Sequence, residues 1–435
     1  MKRKDGFISM TLVYTFLIVF LFLMVSILNS YTEKDTFLET INSQIEDDIT
    51  NNTKVRNTLI SAILRDNTPQ AMEDSTNYSK RYISIIDISN AAHTNGEGLI
   101  YTQNPDVVDE NVDGVTGRIY FFRGEIETNH IIYAGKCFRI IRTNEDGSLR
   151  IRYNGNIIKK TVIENGKEKE LDTCPTTKEV KNGVNISIGT SQWNEDSSLE
   201  SHLGYIYKDT GSIEEADDEN PRSPVKDQLD QWYLTNIINK KDSNGVSWEN
   251  GVSRAVYCND KTYESRKITP RFIDDHDHSI YNKANITNSP TWKCPAIDDR
   301  YTIVTDTNGN KLLFYPIGLV TATDVALAGG YLTYEKDLYE GGSIGMENKG
   351  YYMYTGRNFY TMSPYGYENG EAKMIYVEGS TGIMKKTSVT STMDIIPVIS
   401  IKGNNEIVQG MGTSNHPYVV KMEEPKEWTK KDLYL

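Results

Sequence analysis

Histidines and carboxylates crowd one short stretch, Asp274-Asp275-His276-Asp277-His278. In an extended segment His276 and His278 share one face and Asp275 and Asp277 the other, because side chains alternate along a strand. Either pair supplies part of a metal site: imidazoles suit zinc, and paired carboxylates suit calcium. No further ligand is spaced to complete it, so the stretch reads as a solvated loop and no metal is assigned. Gly341-Gly342-Ser343-Ile344-Gly345 has the spacing of a nucleophile elbow, which needs a strand before the serine and a helix after it. Asp337-Leu338-Tyr339-Glu340 before it and Glu347-Asn348-Lys349-Gly350 after it do not give that context. Asp306-Thr307-Asn308-Gly309-Asn310 begins like a calcium loop, but Ile317 stands where the bidentate glutamate belongs, and the segment reads as a hairpin turn. No phosphate-binding loop, dinucleotide fingerprint or H-E-x-x-H motif occurs, and the six histidines are too scattered to assemble a Ser/His/Asp set. No catalytic residue and no cofactor is assigned, and the chain is not read as an enzyme. A hydrolase would have to use Ser343 or the His276/His278 region.

The four cysteines, Cys137, Cys174, Cys258 and Cys294, form no C-x-x-C pair, so a zinc ribbon is not expected. An even count outside the cytoplasm suggests two disulfides, with three possible connectivities. Cys137–Cys174 with Cys258–Cys294 is the favoured pairing, since each bond staples a local unit. Each closes a loop of fewer than about 40 residues, worth about 3–4 kcal/mol if unstrained. Buried free thiols are the alternative.

The elements that must carry these residues begin at the N-terminus. From Phe7 to Leu28 the chain has 22 residues without a charge. At 1.5 Å per residue such a helix spans about 33 Å, enough to cross the hydrocarbon core. Lys2, Arg3 and Lys4 precede it, and Glu33, Asp35 and Glu39 follow it. The positive-inside rule then keeps the N-terminus cytoplasmic and sends the rest outside. A cleaved signal peptide competes with this reading, although no clear small-x-small site follows. Lys2-Arg3-Lys4-Asp5-Gly6-Phe7 ahead of the apolar run resembles a type IV prepilin leader, which implies cleavage between Gly6 and Phe7 by a prepilin peptidase and assembly with pilin-like subunits. Thr11 stands where pilins carry a glutamate, which turns the resemblance toward a minor pilin, a pseudopilin or a plain anchored protein. Phe37, Leu38, Ile41, Ile45 and Ile49 recur at helical spacing and read as an extension of the anchor helix.

The spacing of Leu59, Ile60, Ile63 and Leu64 predicts a helix near Val55 to Leu64, broken by Asn67-Thr68-Pro69. Residues 66–115 read as a linker, with one short element at Tyr82 to Ile88. Ile119–Phe122 and His130–Tyr133 read as strands. Phe138–Arg142 and Leu149–Tyr153 read as a hairpin across Asn144-Glu145-Asp146-Gly147. A second hairpin is expected between Tyr301–Val304 and Lys311–Tyr315. Val225 to Ile237 is the best soluble helix, with Leu229, Trp232, Tyr233 and Ile237 on its apolar stripe and Asp227, Gln228 and Asp230 on its polar side. The expected division is a leader (1–6), an anchor helix with extension (7–65), a linker (66–115), a β-rich part (116–215), a second part (216–425) and a tail (426–435). Gly329 to Gly350 reads as a long loop, and long loops are often functional.

The formal net charge of -13 argues against a nucleic-acid partner, which needs clustered Lys and Arg, and no basic stripe occurs. The 28 tyrosines suit half-exposed sheets and contact surfaces.

Tyr315–Ala322, Phe359–Pro364, Ile396–Ile401 and Gly412–Val419 carry a second resemblance, joined by Phe121–Gly124, Gly135–Arg142 and Ile188–Ser191. Over about residues 95 to 420 the chain resembles a group of uncharacterised Firmicutes-type surface domains, similar to the formylglycine-generating-enzyme branch of the C-type-lectin-like fold. Ile396 stands where the group usually has Arg, and Tyr360 where it has Trp. The catalytic cysteine pair of the true enzymes has no counterpart here, so the resemblance implies a fold and a location rather than a reaction. The expected fold class is therefore α+β: a long N-terminal transmembrane helix followed by a β-rich, loop-rich, C-type-lectin-like ectodomain. The expected function is a membrane-anchored extracellular adhesion or binding protein for a carbohydrate or protein ligand. Tyr351, Tyr352, Tyr354, Tyr360 and Tyr365 are its candidate surface, and core packing is the alternative for them. The other functional reading is a minor pilin or pseudopilin with a structural role.

Overall fold

The computed structural model describes residues 58–71, 98–102, 119–144, 146–164, 167–204, 222–258, 261–264, 267–270, 300–305, 309–330 and 347–421. The chain divides into units 1–57 and 58–435. The expected leader, transmembrane segment and helix extension lie outside the described residues, as does the element at Tyr82 to Ile88.

Thr58 caps helix α1 (Leu59–Asp66), whose Leu59 and Ile63 are buried as their spacing demands. Strands β1 (Gln70–Ala71), β2 (Gly98–Thr102), β3 (Ile119–Arg123), β4 (His130–Tyr133), β5 (Lys136–Thr143) and β6 (Leu149–Asn156) follow. Next come β7 (Ile158–Glu164), β8 (Lys167–Thr173), helix α2 (Thr177–Lys181), β9 (Gly189–Gln192) and helix α3 (Pro224–Tyr233). Four short strands, β10 (Tyr257–Cys258), β11 (Lys261–Glu264), β12 (Lys267–Pro270) and β13 (Arg300–Tyr301), pair as β10 with β13 and β11 with β12. The chain continues through β14 (Ile317–Gly318), helix α4 (Ala322–Ala328), β15 (Phe359–Glu368), β16 (Glu371–Val377), β17 (Met384–Ser388), β18 (Thr392–Ile395), β19 (Val398–Ile401), β20 (Glu406–Gln409) and β21 (Tyr418–Lys421).

Ten of these strands share one sheet, ordered β1-β2-β3-β5-β4-β21-β20, with β6 on β5, β19 on β6 and β14 on β19. Five form a second sheet, β17-β16-β15-β18-β9. Both sheets draw strands from either side of residue 215. They share one apolar core, to which Ile140, Ile151 and Ile399 come from the first sheet and Phe359, Met374 and Val377 from the second.

The expected fold class is corrected by this architecture. The described residues are β-rich, and no helix among them is long and apolar enough to cross a membrane. The longest described α-helix is α3, at 10 residues. The β-rich character was expected; what replaces the α+β ectodomain behind a long transmembrane helix is a set of paired strands through residues 119–173 and 359–421, several of them buried on both faces.

Local expectations fare unevenly. The hairpin of β5 and β6 forms around Asn144, whose amide meets the Ser148 carbonyl at 2.7 Å, and Gly147 takes the left-handed backbone at φ 75°. Helix α3 buries Leu229 and Tyr233, and Ile237 is buried in the π-helical turn that continues it (Leu234–Ile238). Asp230 leaves the expected polar side: it is buried, and both its oxygens lie 2.5 Å from the buried Lys226 ammonium. The second expected hairpin reduces to a single bridge, Ile303 to Leu313. Tyr301 pairs instead with Tyr257, whose hydroxyl reaches the Pro316 and Val398 carbonyls and fixes β10 at that edge.

The turn from β4 to β5 places Ala134 at φ 51° and Gly135 at φ 72°. Positive φ at both positions marks the hairpin turn that matches strand twist, and a Cβ makes it costly for alanine. Ala134→Gly is expected to raise unfolding stability by about 0.5–1 kcal/mol, read as a higher urea midpoint at unchanged slope.

Candidate functional site

Four arginines lie on one face of β5 and β6. Arg139 pairs across the strands with Arg152, and Arg142 with Arg150. A three-residue spacing on β5 would put Arg139 and Arg142 on opposite faces of a regular strand. The register shift between Ile140 and Arg142 restores them to one face. All four are buried.

Each guanidinium spends its donors on a different segment. Arg142 meets Asp324 at 2.9 Å, and Arg150 lies 3.9 Å from the same carboxylate. Arg150 also donates to the Val256 carbonyl at 2.5 Å and lies 4.7 Å from the centre of the Tyr257 ring. Arg152 donates to the Met353 carbonyl at 2.8 Å and stands 5.5 Å from the Phe359 ring centre. Arg139 donates to Asn129 Oδ1 at 2.5 Å, to Thr177 Oγ1 at 3.1 Å and to the Ile126 carbonyl. A planar fork of five donors suits such a task better than a lysine. Burial pushes the Arg139 and Arg152 guanidiniums down to about 10.

Asp324 is the carboxylate at the centre. It sits in the first turn of α4, where Thr321 and Asp324 form a capping box, so the residue that caps the helix also docks it on the sheet. Burial pushes its carboxyl up, but Arg142, Arg150 and the Thr321 amide outweigh burial and hold it below its ordinary value.

Beside Arg139, the Glu127 carboxylate accepts from His130 Nε2 at 2.7 Å and from the Thr177 amide at 2.8 Å. Burial raises the Glu127 carboxyl, while His130 and Arg139 pull it down further, to about 2. His130 is itself buried, with Nδ1 unpartnered, and burial together with Arg139 lowers it from 6.5 to about 4. The imidazole is therefore neutral and donates from Nε2.

The tyrosine set does not make the expected surface. Tyr351, Tyr352, Tyr354 and Tyr360 are buried, and Tyr365 is half-buried under the Lys386 ammonium, which lies 4.8 Å from its ring centre. Tyr351 donates to the Gly382 carbonyl at 2.8 Å and Tyr354 to Gly379 at 2.7 Å. Tyr360 donates to Ser391 and meets Trp193 edge-on at 5.6 Å between ring centres. Backbone carbonyls in the core accept the hydroxyls of Tyr351, Tyr354 and Tyr360, whereas the buried Tyr352 hydroxyl has no hydrogen-bond partner. Ser343, His276 and His278 lie outside the described residues, and among those described no group of three ligating side chains is placed to hold a metal ion.

Cys137 and Cys174 are joined as expected, with Cα atoms 5.6 Å apart. Cys258 is also disulfide-bonded, and Cys294 lies outside the described residues. The Cys137–Cys174 bond sits at the root of the β7–β8 ribbon, packed among Ile132, Ile157 and Val419. This ribbon pairs with no other described strand. Its register from Ile158↔Thr173 to Glu164↔Lys167 sets Lys159, Thr161 and Ile163 opposite Asp172, Glu170 and Glu168 on one face. All six are exposed, and Ile163, at 78%, is the most exposed large apolar side chain among the described residues. Lys159 already meets Glu170 at 2.9 Å and Asp172 at 3.4 Å, so the acidic excess collects toward Glu168 and Ile163. An isolated two-stranded hairpin is marginal in water, and the disulfide at its root supplies what a missing third strand does not.

No protein-family model, no curated protein and no solved structure matches the chain.

Two measurements probe this site. Asp324→Asn keeps the cap acceptor but leaves Arg142 and Arg150 without their charge, and is expected to cost about 3–5 kcal/mol in urea unfolding. The His130 contribution has a definite sign. Its folded pKa lies below its ordinary value, so the unfolded chain takes up the proton first. Its stabilisation is complete above pH 6.5 and is lost as pH falls toward about 4. The loss is about 3 kcal/mol over that window, and unfolding midpoints for His130→Gln are expected to lack this part of the slope.

Proposed function

We propose that this protein is an exported binding protein, held at the cell surface through its apolar N-terminal segment, that meets a protein or carbohydrate ligand with the β7–β8 ribbon. The observation that carries the reading is the ribbon itself: a projecting pair of strands, exposed along one whole face, tipped by Ile163 and covalently tied at its root. Exposed apolar side chains set among charges are the usual anchors of a contact surface. Disulfides support the extracytoplasmic location, because they persist in oxidising compartments and are rare in the cytosol. The uncharged run from Phe7 to Leu28 behind three basic residues supports export with the N-terminus inside. The reading assigns no reaction to the chain.

A second reading, a minor pilin or pseudopilin, is favoured by Gly6-Phe7 ahead of that run. One preparation separates the two. The native protein is expected in the membrane fraction, with all its cysteines refractory to alkylation until reduced. An N-terminus at Met1 supports the surface-binding reading, and one at Phe7 supports prepilin processing. A chain found in the medium starting near Asn29, or cysteines reactive without reduction, would overturn the proposal.

A further inference from the structure

The ribbon face has a counterpart on the same chain. Phe314 and Val304 are 42% and 41% exposed, two of the five large apolar side chains exposed among the described residues. The Val304 amide donates to the Leu313 carbonyl at 3.1 Å, which brings the two side chains onto neighbouring segments. The charge around them is positive. The Arg222 guanidinium lies 4.2 Å from the centre of the Phe314 ring. Arg254 is exposed and donates to Thr305 Oγ1 at 3.0 Å, and Lys311 is exposed beside Leu312. The buried Asp230 carboxylate is held chiefly by Lys226 at 2.5 Å and only at 3.5 Å by Arg222. An apolar patch with arginine and lysine beside it thus faces solvent at one place, and an apolar side chain opposite Glu168 and diagonal to Glu170 faces solvent at another.

We infer that the ribbon of one copy of this chain docks on the Phe314 patch of a second copy, with Ile163 against Phe314 and Val304, and Glu168 and Glu170 toward Arg254, Lys311 and Arg222. The inference rests on the ribbon being a contact surface and names its partner. Exposure of both surfaces within one chain shows that neither is covered by the other there. Opposite charge steers the two together and disfavours ribbon-to-ribbon contact, where acidic faces would meet. A contact between two different surfaces is heterologous: repeated, it closes into a ring or runs on as a filament. A ribbon tip covers much less than the roughly 1,200 Å² of a stable interface, so the contact is weak and gains occupancy from neighbours crowded on one surface.

Cysteine cross-linking in the full chain tests this. One culture co-expresses two otherwise wild-type chains, one carrying Ile163→Cys and the other Phe314→Cys, and intact cells are mildly oxidised. A dimer linked through positions 163 and 314, identified by mass spectrometry, is expected well above that from Ile163→Cys with Ser243→Cys, an exposed position in the turn closed by the Lys241–Ser247 bridge. Adding Glu168→Lys and Glu170→Lys to the first chain is expected to lower the yield about tenfold. Adding Arg222→Glu and Arg254→Glu to the second is expected to restore it. Absence of the 163–314 product, a yield no better than at Ser243, or dominance of a 163–163 product would overturn the inference. If Ile163→Cys links instead to a different protein, the self-association fails while the ribbon reading stands. If it links to nothing, both fall.

Discussion

Two cross-strand arginine pairs, one of them on the buried Asp324, tie distant segments of this domain to its central strands. Burying four guanidiniums is costly unless their donors find acceptors, and the structure brings in carbonyls from distant segments, with Arg152 Nε buried outside any hydrogen bond. Val256, Met353 and Ile126 each supply one, and α4 supplies Asp324. The strands β5 and β6 therefore do more than pair. They dictate where the segments carrying β10, α4 and residues 347–357 must run, because only those positions satisfy the cations. The apolar core defined by Ile140, Ile151 and Ile399 drives collapse without direction, whereas the arginine grid specifies which loop meets which strand.

The same pair of strands sets the position of the ribbon. β6 runs directly into β7, and β8 returns to Cys174 beside Cys137 on β5. The backbone amide of Cys174 also donates to the Ser414 carbonyl at 2.8 Å, which ties the root to the loop before β21. What projects into solvent is thus rooted in the most constrained strands of the molecule. On the opposite side of that contrast stand the tyrosines of residues 351–360, which looked suited to a surface and instead close the core over the arginines.

How much of this was legible follows from what each signal encodes. Asp146-Gly147 marked the β5–β6 turn because glycine accepts the left-handed backbone there. The stripe Leu229, Tyr233 and Ile237 marked α3 because its period is helical. Cys137 and Cys174 were close enough in sequence to suggest a local staple. Alternation along Leu149–Tyr153 puts Arg150 and Arg152 on one face, but period two cannot say which face is inside. The irregularity between Ile140 and Arg142 has no residue signature. The ribbon did have one: Asn165-Gly166 stands between its two strands, the strongest short hairpin signal, as does Asn369-Gly370 between β15 and β16. The patch at Phe314 and Val304 was hidden inside a segment that reads as an ordinary hairpin.

The placement of Cys137 also determines how the domain carries load. A pull on the ribbon tip reaches the domain by three covalent routes: the peptide link into the end of β6, the peptide link from Cys174 toward α2, and the sulfur bridge into β5. The bridge passes tension to a second strand of the same sheet, itself flanked on both sides by partners. Without the bridge, the load would rest on the peptide links alone, into β6 on one side and toward α2 on the other.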